Sequence, residues 1–571
     1  MIALSKAARH LHMMNQQEIK KILDELTGEI DSIADKKAVG IIKILINLVE
    51  ILAEENARCK KTIQQQKDEI SRLKGEQGKP NIRKQKSGDI QGKSNHSSEK
   101  NRKKKNKNKN KKAKKKPTVK IDRQVKIEFD KSTLPPDAVF KGYETRIIQD
   151  LKITTDNIEF QLPTYYSKSL KKSFIAPMPD AYKGSEFGPG IKSIVITFYR
   201  DGGMTIPAIE RFLETFGISI SRSTLSRFLI EGHDDFHHEK EAIFNAGMQA
   251  YPYQHLDDTG CRVNGKNHYA HVFCNPLFTA YYTRQKKNRL TLLEILCRDE
   301  LKYKLDQQAF DFMMEFGLAK KWRDQIKPLL QESDLTRTEM DEKLLVLFPN
   351  QKKHSTNRRR ILEAAALAYY QQSNYVVNCL MTDDAPQFKK LSLHHALCWI
   401  HEGRHYKKLT PISTLNRRVL DGFLDEFWTY YDTLLTYKQQ PSERVAQQLS
   451  MKFDELFSTV TGYEFLDKRI AMTREKKDAL LQVLTHPFLP IENNPAELGA
   501  RVQTRIRDIN LQTISTNGTK SKDTFATIVQ TARKLGVNIY QYIYDRVSQK
   551  FEMSSLAELI LIQSQEMLNT T

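Results

Sequence analysis

The chain has 571 residues, a length that corresponds to about three or four domains, and its 39% apolar content is enough for sizeable cores. Its formal net charge of +22 indicates a polyanionic partner, nucleic acid before a membrane surface. The six cysteines include no Cys-x-x-Cys pair, so we expect a reducing compartment and no disulfide framework. We expect neither a signal peptide nor a membrane span, because polar and charged residues interrupt the most apolar stretch, Ile41 to Leu52.

A heptad repeat runs from Ile42 to Leu73. The first seam position holds Ile42, Val49, Asn56, Ile63 and Ile70, and the second holds Leu45, Leu52, Cys59, Gln66 and Leu73. This pattern predicts an oligomerising coiled coil within residues 1–80, because an Asn on an apolar seam fixes register and chain number. The alternative is a long amphipathic helix that packs within its own subunit.

A basic, apolar-poor linker follows at residues 81–118. Its run from Lys100 to Lys116 contains twelve basic residues and no acid, which predicts disorder. The run is either a solvated tether or a non-specific clamp on phosphate. The rest of the chain keeps a net charge of about +10 without it, so the basic character is not confined to the linker. Residues 119–189 contain short strand-like runs and predict a small β-rich module.

Residues 190–235 have the spacing of a helix-turn-helix. The first helix is predicted at Thr205–Phe216, with Pro207 near its start and Gly217 after its end, and the second at Ser221–Glu231. The residues at the start of the second helix would face base edges and phosphates. They are Arg222, Ser223, Thr224 and Arg227. An ordinary helical hairpin is the alternative.

The stretch from Tyr253 to Cys297 predicts three strands and a helix. The strands are Tyr253–Asp258, His268–Cys274 and Leu277–Thr283, and the helix is Arg289–Cys297. Asn264-Gly265 supplies the two positive-φ residues of a tight hairpin turn. An antiparallel meander followed by a helix is the opening of a ribonuclease-H-like fold.

Two predicted strands end in a pair of acids. Asp257 and Asp258 close the first strand, and Asp383 and Asp384 close the apolar run that begins at Asn374. Carboxylates at two strand ends suit hard divalent cations, which prefer oxygen ligands. Solvated turns or helix caps are the alternative, and spacing does not choose between the members of each pair.

A third carboxylate, Glu497, lies in the sequence FLPIENNPAELG. Asn494 is the predicted N-cap and Pro495 the first helical residue, which puts Glu497 at the third helical position. A glutamate there either reaches back to its own cap in a capping box or completes a metal site.

The remaining patterns are a charged helical insertion at about residues 299–373, a strand at Leu391–Glu402 and a long helical region from about Thr414 to Thr485. Cys398, His401 and His405 have the spacing of metal ligands. A single Cys-His cluster without a second pair is, however, more typical of packing and hydrogen bonding than of zinc.

The C-terminal half resembles the DDE transposases of the insertion sequence 66 family, the TnpC type. The motifs that carry the resemblance are His255–Thr259, Met381–Asp383, Cys398–His401, Ile491–Glu497 and Thr531–Val537. The family order of coiled coil, basic stretch and helix-turn-helix is also present. The resemblance implies an α/β ribonuclease-H-like core at residues 250–545 with large helical insertions, followed by a tail at residues 546–571.

The resemblance also implies the chemistry. It selects Asp257, Asp383 and Glu497 as the catalytic triad and as ligands of two Mg²⁺ or Mn²⁺ ions. The implied reaction is cleavage of the element ends and strand transfer into target DNA, performed at the cytoplasmic nucleoid by a homo-oligomer, with accessory proteins of the element as further partners. A hydrolytic nuclease of the same fold and a non-catalytic DNA-binding regulator are the alternatives. The chain departs from the family in having no cysteine between Cys59 and Cys261, where relatives carry a zinc element.

Overall fold

The structure is a computed structural model that describes residues 16–30, 33, 35–73, 121–127, 135, 143–179, 182–298 and 300–569. The strands are β1 (Thr164–Ser167), β2 (Lys172–Ile175), β3 (Tyr253–Val263), β4 (Lys266–Cys274), β5 (Thr279–Arg284), β6 (Val377–Thr382) and β7 (Ser392–Leu397). The helices as far as β6 are α1 (Gln16–Ile30), α2 (Lys36–Leu73), α3 (Pro189–Arg200), α4 (Ile206–Glu214), α5 (Arg222–Ile230), α6 (Asp234–Gln249), α7 (Arg289–Leu296), α8 (Gln307–Glu315), α9 (Lys320–Ile326), α10 (Arg337–Leu347) and α11 (Ser355–Gln371). Those after β7 are α12 (Trp399–Lys407), α13 (Thr414–Tyr437), α14 (Glu443–Leu456), α15 (Glu464–Arg474), α16 (Lys477–Leu480), α17 (Gln482–Thr485), α18 (Asn494–Asn510), α19 (Thr516–Leu535), α20 (Ile539–Val547) and α21 (Leu556–Asn569).

A mixed sheet of five strands, in the order β5-β4-β3-β6-β7, lies at the centre. The first three strands along the chain are antiparallel, and β6 and β7 add in parallel beside β3. The turn between β3 and β4 is the predicted one, because Asn264 has φ of 46° and Gly265 has φ of 71°. A central mixed sheet among many helices is compatible with a nuclease-like core.

The predicted strand over Leu391–Glu402 is wrong in its second half. β7 ends at Leu397, and helix α12 begins at Trp399. The strand stops there because its parallel neighbour β6 ends at Thr382, the residue paired with Leu397. Beyond that pair the Cys398 N–H still donates to Thr382, the Trp399 N–H donates to Ile491, and the chain then turns into a helix.

Side chains of α19 cover the free edge of the sheet. Backbone N–H groups of β5 donate to oxygens of α19, from Thr283 to Asp523 at 2.5 Å, from Tyr281 to Thr527 at 3.1 Å and from Thr279 to Thr531 at 3.2 Å. Alternate residues of a strand and every fourth residue of a helix have similar spacing, so the two rows stay in register. The helix therefore replaces a sixth strand and closes the edge.

Two apolar cores flank the sheet. One includes α6, the insertion helices and α19, and α11 enters it with a row of buried alanines, Ala364, Ala365, Ala366 and Ala368. The other surrounds Trp399 and is built from α12 to α15. The predicted tail at residues 546–571 is mostly helix α21, whose Leu556 and Ile560 are fully buried in the first core.

Helix α2 packs partly against its own chain, as in the alternative to the coiled coil. Ile46 and Ala53 are buried against Ile19 and Leu23 of α1. The buried Glu50 accepts hydrogen bonds from backbone N–H groups at the start of α13, including that of Ser413 at 2.7 Å. One face of α2 therefore packs within the chain, and pairing of this helix with a second copy stays a prediction.

Regular structure is sparse among the described residues from 121 to 188. The only strands among the described residues of 119–189 are β1 and β2, which form an exposed antiparallel hairpin, and the β-rich module stays a prediction. The described residues between 143 and 163 have no regular structure and are mostly exposed, and so bury no core of their own. The Lys100–Lys116 run lies outside the described residues. None of the described helices is both long and apolar enough to cross a membrane.

Candidate active site

Asp257 and Asp383 lie side by side on neighbouring parallel strands. β3 pairs with β6 so that His255 is opposite Met381. Asp257 follows the first of these residues by two positions and Asp383 follows the second by two, so both carboxylates occur where the pairing of the strands ends. Asp257 is inside β3 and not at its end, since antiparallel pairing with β4 carries β3 on to Val263.

Glu497 reaches the same region from helix α18, which lies on β3 and β4. Gly499 permits the close approach, because a Cβ at this position would lie 2.7 Å from Cγ1 of Val272 on β4. The hydroxyl of Tyr281 donates to the Gly499 carbonyl at 3.1 Å. A glycine two residues after Glu497 thus sets the distance between the third carboxylate and the sheet.

The start of α18 is held by Asn493, which is the N-cap one residue before the predicted Asn494. The buried Asn493 amide donates to the Leu256 carbonyl at 3.0 Å, and its oxygen is 2.9 Å from Nδ1 of His255. The cap makes no side-chain hydrogen bond with its own helix, and Glu497 is at the fourth helical position. The capping-box alternative for Glu497 is therefore not observed.

The acids next to the two aspartates, Asp258 and Asp384, form ion pairs with lysine side chains. Asp258 pairs with Lys287 at 3.3 Å and accepts from Gln387 at 3.0 Å. Asp384 pairs with Lys476 at 2.6 Å. Burial alone would raise the pKa of Asp384, but Lys476 and Lys389 hold this pKa below its ordinary value. Each neighbour thus has a cation of its own.

Asp257 and Asp383 have no such cation. Each accepts a nearby backbone N–H, and within the described part of the chain neither has an ion-pair partner. Burial and the negative charges of Asp383, Asp258 and Glu497 raise the pKa of Asp257 to about 7. Burial also raises the pKa of Asp383, although His401 opposes the shift. Asp257 and Asp383 therefore add negative charge that His401 and Lys287 offset only in part.

Glu497 is held by Arg404 of α12, and His401 of the same helix lies beside it. Arg404 donates from Nη1 to Oε1 at 3.2 Å and from Nη2 to Oε2 at 3.0 Å. His401 has Nδ1 3.5 Å from Oε1 of Glu497, and its Nε2 is 3.1 Å from Nη1 of Arg404. Sequence reasoning missed Arg404; its signal is the spacing Cys398-x-x-His401-x-x-Arg404, which puts the His and Arg one turn apart.

The predicted DNA-contacting residues are on α5. The turn before this helix contains Gly217 with φ of 75°, and Ser221 caps it by accepting from the Thr224 N–H at 3.2 Å. Arg222 and Arg227 are exposed, but Arg222 already pairs with Glu210 of α4 at 2.7 Å. The two helices and the turn of the prediction are present, and Ser223 is exposed beside them.

Comparison with known proteins gives the family. A family model described as "Transposase IS66 family" matches residues 184–300 and 336–521, just over half of the chain. The chain belongs to the IS66 transposase family. It is also similar to the "Uncharacterized protein y4jO" of Sinorhizobium fredii (strain NBRC 101917 / NGR234), with 29% identity over 310 residues that cover 53% of this chain and 94% of that protein.

The IS66 match contains all three carboxylates as well as α4 and α5. The residues between its two segments, 301–335, lie within the range of the predicted helical insertion. Membership of this transposase family supports a transposase-type function.

The third suggested metal ligand of α12, His405, is not part of a ligand cluster. Among the described residues, one group of three potential ligands has all its ligand atoms within 4.8 Å, and it consists of Cys398, His401 and Glu497. Burial raises the pKa of the Cys398 thiol to about 12, which disfavours the thiolate that zinc binds. Cys398 instead accepts the Asn493 N–H at 3.2 Å. In this member of the IS66 transposase family, the hydrogen bond to the Cys398 thiol links the start of α12 to the start of α18.

Proposed function

We propose that the chain is a DDE-type transposase with a ribonuclease-H-like core, in which Asp257, Asp383 and Glu497 form the catalytic triad. The proposal is supported above all by the parallel register that puts Asp257 and Asp383 side by side. The family match supports it independently, because the matched segments include all three residues.

The carboxylates of Asp257, Asp383 and Glu497 have the donor chemistry that suits Mg²⁺ or Mn²⁺, but among the described residues their ligand atoms do not all lie within 4.8 Å of one another. Hard divalent cations prefer carboxylate oxygens, and the raised pKa of Asp257 reflects buried negative charge that a cation would offset. A pair of such ions would supply Lewis acidity that activates the attacking oxygen and stabilises the leaving one. Lys287 and Lys476 keep Asp258 and Asp384 paired, so the neighbouring acids do not compete for the same role.

The reaction we propose has two displacements at phosphorus. Water attacks a phosphodiester at the element end and expels a 3′-hydroxyl. That hydroxyl then attacks a phosphodiester of the target DNA, forms a new ester bond and expels another 3′-hydroxyl. The protein holds the reacting groups in line and takes part in no covalent intermediate.

DNA is bound, in this proposal, by α4 and α5 as a helix-turn-helix that reads the element ends. Its contacts would come from Arg222, Ser223, Thr224 and Arg227. The Lys100–Lys116 run would add sequence-independent attraction to phosphates. Helix α2 would pair with a second copy, since a transposase must hold two element ends. Accessory proteins of the element are further proposed partners, and the proposed location is the nucleoid.

Product analysis tests this function. Purified protein, Mg²⁺ and a duplex with the element's terminal sequence should give cleaved ends and, with a supercoiled plasmid as target, joined molecules. Asp257→Asn should give neither product while it still shifts the duplex in a gel. Cleavage without joining would identify a hydrolytic nuclease, and binding without either product would identify a regulator.

A further inference from the structure

Both carboxylate oxygens of Glu497 are bonded to one guanidinium. The contacts with Arg404, at 3.2 Å and 3.0 Å, form the two-pronged geometry that Arg and carboxylate favour. The Glu497 side chain is 12% exposed and that of Arg404 24% exposed, so water screens the pair weakly. A divalent cation needs at least one of these oxygens, which means that cation and guanidinium compete for Glu497.

The geometry on the Arg404 side is fixed by packing. A Cβ at Gly403 would lie 2.7 Å from Cζ2 of Trp428, so α12 is seated tightly on α13. The Nη1 group of Arg404 that donates to Glu497 also donates to Nε2 of His401, and this second hydrogen bond further fixes the guanidinium. Nε of Arg404 is buried and has no acceptor among the described residues. The guanidinium therefore stays directed at the site, and its Nε–H group can still donate a hydrogen bond.

We propose that Arg404 is a positioning residue that withholds Glu497 from metal until a DNA phosphate replaces it as the partner of the guanidinium. This inference rests on the proposed function, since it takes Glu497 as a metal ligand. Phosphate oxygens accept the same two-pronged hydrogen bonds as a carboxylate. When DNA occupies the site, the guanidinium exchanges one anion for another and Glu497 becomes available to the cation.

The exchange couples the two ligands. If DNA frees Glu497 for metal, then metal must strengthen DNA binding by the same factor, because coupling free energies are reciprocal. The free enzyme would hold metal weakly and the DNA complex would hold it strongly. Cleavage would consequently be restricted to protein that already has DNA in place.

The test measures Mn²⁺ binding to the full-length protein. The electron paramagnetic resonance signal of free Mn²⁺ reports how much of the ion remains unbound. Without DNA, Arg404→Gln should bind Mn²⁺ roughly tenfold more tightly than the wild type, since it removes both a competing partner and a nearby positive charge. Arg404→Lys should bind with intermediate affinity, because an ammonium cannot hold both oxygens. Lys408→Gln removes an exposed charge at the end of the same helix and should change the affinity by less than about twofold.

A duplex of the element end in which a methylene group replaces the scissile 3′-oxygen cannot be cleaved, and it supplies the second measurement. It should tighten Mn²⁺ binding to the wild type clearly more than to Arg404→Gln. Thermal unfolding of each variant checks that the fold is kept. Equal or weaker Mn²⁺ binding by Arg404→Gln without DNA overturns the inference and leaves the proposed triad standing, whereas an Asp257→Asn variant that binds Mn²⁺ like the wild type overturns both.

Discussion

Two regions of the molecule combine groups that have partners within the chain with groups that, among the described residues, lack an ion pair or remain exposed. These regions are the aspartates at β3 and β6 and the N-terminal helix α2. At the strand ends, Asp258 and Asp384 have lysine partners, while Asp257 and Asp383 have no ion-pair partner among the described residues. On α2, the face with Ile46 is buried, while Leu45 and Leu52 on the other seam are 53% and 57% exposed.

The unpaired carboxylates and the exposed leucines differ in chemistry, and so do the partners that they require. Half-buried carboxylates without an ion-pair partner are costly unless a cation arrives, which suits a metal ion. An exposed stripe of leucines is costly in water and suits another apolar surface. The comparison therefore predicts a small inorganic ligand at one region and a second protein chain at the other.

The largest expected effect comes from neutralising the open carboxylates. Asp257→Asn, Asp383→Asn and Glu497→Gln each remove a negative charge and nearly keep the shape, so each should lower Mg²⁺-dependent cleavage by roughly 10²–10³-fold or more. Initial cleavage rates on the element-end duplex measure this, with DNA binding as a check on folding.

The matched controls are the neighbouring acids that bond to other side chains. Asp258→Asn, Asp384→Asn and Glu492→Gln should retain measurable cleavage, because the first two of these acids have lysine partners and Glu492 bonds to Tyr431 and Asn494. Loss of cleavage in Glu492→Gln with normal cleavage in Glu497→Gln would show that the third carboxylate is misassigned.

The second effect concerns α2. Leu45→Glu with Leu52→Glu should convert an oligomer into a monomer at micromolar concentration, because each leucine contributes about 1.5–3 kcal/mol when it is buried in an interface. Sedimentation velocity of the full chain measures this. Lys60→Glu, on the exposed part of the same helix, changes charge without removing apolar surface and should leave the oligomer intact. A wild-type protein that is already monomeric would contradict the predicted role of the stripe.

The sequence predicts those features that depend on local signals. The turn at Asn264-Gly265, the strands around it and helix α7 follow from residue type and period alone. The end of β7 depends on where β6 stops, and the orientation of α2 depends on the start of α13, so neither could be derived locally. The predicted strand ends gave two pairs of acids, and the family resemblance selected Asp257 and Asp383 from them. Arg404 requires the contact between α12 and α18, which no local pattern gives.

The smallest expected effect tests the glycine that brings Glu497 to the sheet. Gly499→Ala places a Cβ 2.7 Å from Val272, so α18 must move away from β4. We expect a loss of about 1–3 kcal/mol in the free energy of unfolding, together with slower cleavage because Glu497 moves with the helix. The control is Gly422→Ala in α13, where an added Cβ meets nothing within 4 Å and should stabilise the protein by about 0.5–1 kcal/mol through higher helix propensity. Denaturant unfolding and cleavage rates measured on the same preparations separate the two consequences. If Gly499→Ala is as stable and as active as Gly422→Ala, close contact between α18 and the sheet does not position the third carboxylate.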